Sequence, residues 1–217
     1  MELAKLYRHR FEPAELPRKL AIWRVLCEDF FSRYVGANDV VVDIGAGYCE
    51  FINSVTCGRR IAVDLNPDVR TFAGPTVEIR HDDCTVLPSF ADDTADVVFM
   101  SNFLEHLPSK QVVFDTLAQA KRILKPGGRL MILQPNVRLL PGEYWDFFDH
   151  HTPLTEKSLA EALLNLDMQL VQVIDRFLPY TTKSRLPQSP HLVRLYLKFP
   201  LAWKLLGKQS FLVATKR

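Results

Sequence analysis

The sequence contains few cysteines, and their spacing does not suit a zinc site or a disulfide framework. The four cysteines form no Cys-x-x-Cys pair and have no histidine-rich neighbourhood; they are Cys27, Cys49, Cys57 and Cys84. They indicate reduced thiols in a cytoplasmic protein. The N-terminus lacks the apolar core of a signal peptide, and no stretch approaches the ~20 apolar residues that cross a bilayer. We therefore expect a cytoplasmic protein that is soluble or at most membrane-peripheral.

Acidic residues are absent from the last part of the chain. After Asp175 there are nine Lys or Arg and no Asp or Glu, whereas the first 175 residues carry 18 basic and 25 acidic side chains, a formal charge of −7. This asymmetry points to an anionic partner or surface for the tail. The length of 217 residues, 47% of them hydrophobic, suits one large domain with an appendage.

Apolar periodicity predicts strands that alternate with helices. Such alternation favours a doubly wound α/β fold with a mostly parallel sheet, whose ligand lies beyond the carboxyl ends of the strands near the topological switch point. The predicted strands are 40–44, 60–64, 77–80, 95–101, 129–134, 169–177 and 210–215. The predicted helices are 18–35, 48–56, 111–124 and 155–166.

A glycine turn follows the first predicted strand and precedes a helix. Gly45 and Gly47 permit positive φ and a close approach of a ligand to the backbone. Asp64 lies 21 residues after Asp43, at the end of the second strand, where a carboxylate can accept from both ribose hydroxyls. A dinucleotide fingerprint would need glycine at position 50, which is Glu50. Asp43 would repel a pyrophosphate but suits the cationic sulfonium and amino group of a methyl donor, so an NAD-dependent oxidoreductase is the weaker alternative.

The motifs as an ordered set resemble class I S-adenosylmethionine-dependent methyltransferases of the small-molecule, ubiquinone type. The resemblance covers about residues 38–177, with Cys49 where a third glycine is usual, and rests on segments 40–49, 62–67, 81–88, 96–107 and 124–130. It implies a Rossmann-like fold, a transferase activity and the cofactor S-adenosyl-L-methionine. The donor-binding residues it implies are Asp43, Gly45, Gly47, Asp64, Leu65, Asp83, Cys84, Ser101 and Asn102. Asp83 would accept from the adenine amino group.

The complete predicted fold has a seven-stranded sheet with an antiparallel last strand. An N-terminal helical cap is expected at 1–37 and the donor-binding methyltransferase domain at 38–217. Within that domain, 178–209 is predicted to form a basic helical insertion or lid before the last strand.

Two segments offer a general base for an alcohol acceptor, and histidine is the usual base near neutral pH. Glu105 and His106 follow the fourth strand, where the resembled family often has Glu-His near the transferred methyl; packing of His106 under the sheet edge is an equal alternative. The second segment, 144–151, is predicted to close over the donor and form the acceptor pocket, with His150 as a second candidate base. Its candidate substrate residues are Tyr144, Trp145, Asp149 and His151.

The aromatic and acidic composition of this second segment leaves two alternatives open. It could serve only for packing. A metal bound by Asp146, Asp149, His150 and His151 is disfavoured, because the segment does not resemble metal-dependent catechol-type enzymes, and we predict no metal.

The predicted function is therefore methyl transfer to a hydroxyl of a small-molecule, saccharide or lipid-linked acceptor. The alternative is a methyltransferase-like binding or assembly factor without chemistry. Residues 191–208 place four basic side chains within a stripe about 120° wide on an otherwise apolar helix that Pro200 kinks or splits. This segment is predicted to be a lid or a homodimer contact, or to lie on an anionic membrane surface. No nucleic acid is expected as a partner, because no recognition motif accompanies the basic residues.

Overall fold

Seven strands form one sheet in the order β3-β2-β1-β4-β5-β7-β6. The computed structural model describes residues 15–180 and 189–217; parts of the predicted cap and insertion, at 1–14 and 181–188, lie outside this range. The strands are β1 (Val40–Ile44), β2 (Arg59–Val63), β3 (Val77–Arg80), β4 (Ala95–Ser101), β5 (Leu124–Pro135), β6 (Met168–Ile174) and β7 (Gln209–Lys216). β7 runs opposite to the other six strands, which confirms the predicted sheet with its antiparallel last strand.

Helices cover both faces of the sheet. They are α1 (Leu16–Asp29), α2 (Glu50–Ser54), α3 (Val69–Phe72), α4 (Lys110–Ile123), α5 (Glu156–Asn165), α6 (Pro190–Leu197) and α7 (Pro200–Leu206). On one face, α4 and α5 pack through Leu117 and Leu159 onto Val42 and its neighbours. On the other face, α1, α2, α6 and α7 share a cluster with Val41. Since successive strand residues point to opposite faces, the adjacent Val41 and Val42 anchor the two layers.

Local sequence signals explain most helix ends. The Ser109 hydroxyl accepts from the backbone N–H of Val112 at the start of α4, and Thr155 and Ser158 form a reciprocal capping box at α5. Pro200 separates α6 from α7, as predicted. The first helix was predicted to reach residue 35, but α1 ends at Asp29 and a short 3₁₀ helix follows at Phe31–Arg33.

The parallel pairing places the ends of β2, β1, β4 and β5 along one edge of the sheet. The chain order reverses between β1 and β4, so the switch point lies at that edge. Because β7 is antiparallel to β5, the insertion that contains α6 and α7 returns to the sheet at this same edge, at Gln209 opposite Pro135.

Candidate functional site

The turn after β1 has three residues in the left-handed backbone region. Gly45, Gly47 and Cys49 have φ angles of 73°, 51° and 58°. A Cβ at Gly45 would lie 2.3 Å from the ring of Phe103, so no larger residue fits there without displacing that ring. Cys49 adopts the conformation that favours glycine, and its buried thiol lies 3.9 Å from the carbonyl of Val69. The backbone path of a glycine turn is therefore kept despite Cys49.

Three carboxylates converge beside this turn. Asp43 is 3% exposed and accepts from the backbone N–H of Ile52. Burial raises the pKa of Asp43 well above its usual range, and the negative charges of Glu50 and Asp64 raise it further. Burial also raises the pKa of Glu50, and the positive charge of Lys19 on α1 only partly offsets that rise. Buried negative charge of this kind fits a sulfonium and an ammonium group and disfavours a pyrophosphate.

Asp64 holds the turn as well as offering acceptors to a ligand. One of its carboxylate oxygens accepts from the N–H of Gly47 at 2.8 Å, and the other accepts from the N–H of Asn66 at 2.8 Å. Burial raises the pKa of Asp64, although these two hydrogen bonds act in the opposite direction. A carboxylate oxygen can accept more than one hydrogen bond, so ribose hydroxyls can still bind. Leu65, beside it, is 59% exposed at the same edge.

The segment after β3 is ordered by its own side chains. The exposed carboxylate of Asp83 accepts from the N–H of Thr85 at 2.8 Å and from its hydroxyl at 2.7 Å, and these bonds lower the pKa of Asp83. Cys84 instead packs against the core, where its sulfur accepts from the hydroxyl of Thr116 at 3.3 Å. The Asp83 carboxylate thus lies exposed at the surface, whereas Cys84 is partly buried against the core.

The end of β4 continues the same edge. Asn102 is exposed, with a φ of 47°, and its backbone N–H donates to the carbonyl of Leu133. Its side-chain amide donates to the hydroxyl of Ser101 at 3.2 Å. Ser101 and Asn102 therefore lie between the carboxylates after β1 and the segment after β5.

A buried acid and a histidine connect β4 to the segment after β5. Glu105 is 1% exposed and accepts from the side-chain amide of Gln134 at 2.9 Å. The Nδ1 of His106 lies 3.1 Å from a carboxylate oxygen of Asp149, and its Nε2 lies 3.9 Å from Glu105. Burial opposes protonation of His106, but the charges of Glu105 and Asp149 outweigh it and raise the pKa of His106.

The second histidine lies in a cluster of aromatic rings beside the first. The ring of His150 lies 5.0 Å from His106, 4.7 Å from Tyr144 and 4.8 Å from Phe147, measured between centroids. Tyr144 is fully buried, and its hydroxyl donates to the carbonyl of Thr152 at 2.5 Å. The hydrogen bond of Tyr144 thus fixes the path of the segment. His150 is also buried, with 7% of its surface exposed.

The remaining predicted residues of this segment lie further out. Trp145 is 56% exposed, and His151 is exposed with its backbone N–H donating to the carbonyl of Glu105. Within residues 15–180 and 189–217, the group with metal-ligand spacing consists of Glu105, His106 and His150, whose ligand atoms lie within 4.8 Å of one another. It shares only His150 with the set considered from the sequence, which was Asp146, Asp149, His150 and His151.

Sequence reasoning missed several residues that shape this site. Nothing in the sequence indicated that Lys19 lies near Glu50, because this proximity depends on how α1 packs on α2. Gln134 appeared only as the end of a strand, and its contact with Glu105 depends on the pairing of β4 with β5. The contact of Asp149 with His106 could not be inferred from spacing, because the two residues lie 43 positions apart in the sequence.

Residues 42–132 match the family model described as a methyltransferase domain. The matched segment is 91 of the 217 residues; it runs from β1 into β5 and includes the carboxylate-lined glycine turn, so this part of the chain is similar to methyltransferase domains.

Individual relatives are more distant. A curated relative, the probable methyltransferase ltbC of Aspergillus luteorubrus, is 26% identical over 118 residues, which cover 46% of this chain and 41% of the relative. The chain therefore aligns with less than half the length of that protein.

Solved structures share the fold over nearly the whole chain. A Haloferax volcanii methyltransferase in complex with the activator Trm112 has a TM-score of 0.70 at 18% identity and covers 98% of this chain and 97% of its own. A possible histamine N-methyltransferase from Thermotoga maritima has a TM-score of 0.68 at 15% identity, with coverage of 98% and 99%. A methyltransferase from Archaeoglobus fulgidus has a TM-score of 0.65 at 22% identity, with coverage of 89% and 94%. At these identities the likeness shows the fold.

Proposed function

We propose that this protein transfers a methyl group from S-adenosylmethionine to a hydroxyl of a small-molecule, saccharide or lipid-linked acceptor. The observation that carries the proposal is the position of His106, held by Asp149 and Glu105 at the same sheet edge as the carboxylate-lined turn. A donor site and a candidate base thus occupy neighbouring strand ends.

On the donor side, the residues act by charge and backbone shape. S-adenosylmethionine supplies an electrophilic methyl on a sulfonium. Asp43 provides negative charge for the cationic part of the donor, Gly45 and Gly47 allow its close approach, and Asp64 accepts from the ribose hydroxyls. Leu65, Asp83 and the backbone of Cys84 border the adenine, and the Ser101–Asn102 backbone lines the side toward the acceptor.

On the acceptor side, we assign His106 as the general base and Asp149 as its positioning residue. With Nδ1 donating to the Asp149 carboxylate, the lone pair lies on Nε2 and can take the proton of an acceptor hydroxyl. Glu105 adds negative charge that stabilises the protonated ring. His150 lines the acceptor pocket as the second candidate base, with Tyr144 bracing it and Trp145 and His151 at the rim.

The test measures release of S-adenosylhomocysteine with a panel of phenols, monosaccharides and polyprenyl-linked sugars. For any acceptor that turns over, His106→Ala is expected to reduce kcat by about 10²–10⁴-fold, the usual contribution of general base catalysis, with donor affinity kept. His150→Ala tests the second candidate in the same assay. His191→Ala, on the exposed side of α6, is the matched control and should leave kcat unchanged.

The outcomes separate the alternatives. Unchanged turnover in both His106→Ala and His150→Ala would refute the base assignment while leaving methyl transfer in place. Binding of S-adenosylhomocysteine without turnover of any acceptor would favour a binding or assembly factor.

A further inference from the structure

Helices α6 and α7 expose an unusual number of large apolar side chains. Single exposed leucines are ordinary on a protein surface, but a contiguous apolar patch marks an interaction site. The six exposed side chains within residues 192–206 are Leu192 (47%), Leu195 (54%), Phe199 (56%), Leu201 (76%), Leu205 (82%) and Leu206 (43%). We call this set the α6–α7 patch.

The opposite side of the same helices is already packed against the domain. Leu197 and Trp203 are buried in the core layer that also contains Phe177. The indole N–H of Trp203 donates to the carbonyl of Tyr196 at 2.8 Å, and the Tyr196 hydroxyl donates to the carbonyl of Phe177 at 2.5 Å. The α6–α7 patch is therefore a second apolar side of helices whose core-facing side is in use.

Positive charge accompanies the patch. Of the basic stripe predicted from the sequence, Arg194 pairs with Asp29 at 2.7 Å and Lys208 pairs with Glu143 at 2.6 Å. Lys198 and Lys204 are exposed and make no ion pair with any residue in the described part of the chain. Apolar side chains with unpaired cations beside them match the interface of an anionic bilayer.

The patch adjoins the acceptor segment. An ion pair joins Lys208, two residues after α7, to Glu143, the residue before that segment. The ring of Phe147 lies 6.0 Å from the ring of Tyr180. Phe148 is 82% exposed and Trp145 is 56% exposed in the same segment. A surface that contacts α6 and α7 would thus lie close to the pocket around His150.

We propose that the α6–α7 patch docks on the surface of an anionic lipid bilayer, with Lys198 and Lys204 at the headgroups. A second copy fits the patch less well: in a two-fold contact the same patch faces itself, so the unpaired lysines of both copies would share one interface. Docking would present the acceptor segment to lipid-linked molecules; this consequence for the acceptor rests on the proposed function, whereas the docking itself does not.

The test is sedimentation of the full chain with phosphatidylcholine vesicles that contain or lack phosphatidylglycerol, at low and high salt. Binding is expected with phosphatidylglycerol, weaker binding without it, and weakening by salt. Leu201→Ala and Leu205→Ala should each reduce the partition coefficient about tenfold, because each removes a methine and two methyl groups that docking would bury in the bilayer interface. The matched control is Leu164→Ala, a 55% exposed leucine at the end of α5.

A second pair of variants isolates the charge. Lys198→Gln with Lys204→Gln should reduce binding to anionic vesicles and flatten its salt dependence, whereas Arg217→Gln, beyond the far end of β7, should change neither. Far-UV circular dichroism of each variant checks that the fold is kept.

Several results would overturn the docking proposal: no sedimentation with anionic vesicles at low salt, equal loss in Leu164→Ala, or a dimer in analytical ultracentrifugation that Leu201→Ala dissociates. The last result would assign the patch to a second copy. Methyl transfer is measured separately, on soluble acceptors. A protein that methylates a soluble acceptor but does not bind anionic vesicles would therefore refute the docking proposal and leave the proposed function in place.

Discussion

Replacing Asp43 by asparagine should stabilise the free protein and weaken donor binding. Asp43 is 3% exposed, and its pKa is raised by burial and by the charges of Glu50 and Asp64. When the pKa of a carboxyl group is higher in the folded state than in the unfolded state, the folded state binds the proton more tightly. The resulting stability is fully present below the unfolded pKa, near 3.9, and is lost as pH rises through the folded pKa. At neutral pH the ionised group therefore opposes folding, and asparagine removes that cost while its amide oxygen still accepts from Ile52.

We expect Asp43→Asn to raise the free energy of unfolding by about 1 kcal/mol or more at neutral pH, equivalent to about 2–4 °C in a chain of this size. Loss of a hydrogen bond to a charged group costs about 1.5–3 kcal/mol, so the Kd for S-adenosylhomocysteine should rise about 10–150-fold. Thermal melts with and without ligand, together with calorimetry, measure both changes.

Two observations would refute this reasoning about Asp43. The first is an Asp43→Asn protein that is less stable than the parent at neutral pH yet equal to it at low pH. The second is unchanged affinity for S-adenosylhomocysteine. Asp175→Asn, a change at an exposed carboxylate directly after β6, is the matched control and should alter neither quantity.

Three other substitutions test the site. Gly45→Ala should destabilise the protein by more than about 2 kcal/mol in urea unfolding, because positive φ costs an L-residue about 1–2 kcal/mol and the new Cβ would meet Phe103 at 2.3 Å. In the control Gly142→Ala, where a Cβ meets nothing within 4 Å, the free energy of unfolding should change by less than about 0.5 kcal/mol. Equal losses in the two variants would contradict the steric argument. Asp149→Asn should lower the pKa of His106, so the acid limb of kcat/KM moves to lower pH; a shift to higher pH or none would separate Asp149 from the base. Gln134→Leu should lower the free energy of unfolding by about 1–3 kcal/mol, because it removes a hydrogen-bond donor to the buried Glu105. The control Gln169→Leu, at an exposed strand position, should leave the free energy of unfolding nearly unchanged. Similar values for both variants would show that the buried contact contributes nothing to stability.

The fold was predictable because its signals are local. The run of apolar residues at 40–44 followed by Gly45 and Gly47 specifies a buried strand and a turn, and the capping residues Ser109 and Thr155 mark where α4 and α5 begin. The end of α1 was less clear, since apolar residues continue through Phe31 while the backbone has already changed to a 3₁₀ turn.

The candidate site was only partly predictable, because several of its contacts join distant segments. Asp43 and Asp64 stand at strand ends that the sequence marks, so their convergence follows from a parallel sheet. The contact of His106 with Asp149 spans 43 residues and depends on the path of the segment after β5, which no local pattern encodes. The role of Tyr144 as a buried brace likewise depends on its hydrogen bond to Thr152.

The central claim is that the turn after β1 binds a cationic methyl donor rather than a dinucleotide. Calorimetric titration of the protein with S-adenosylhomocysteine and, separately, with NADH tests it most directly. The account predicts saturable binding of S-adenosylhomocysteine that weakens in Asp43→Asn, and no binding of NADH. Binding of NADH with no response to S-adenosylhomocysteine would contradict it.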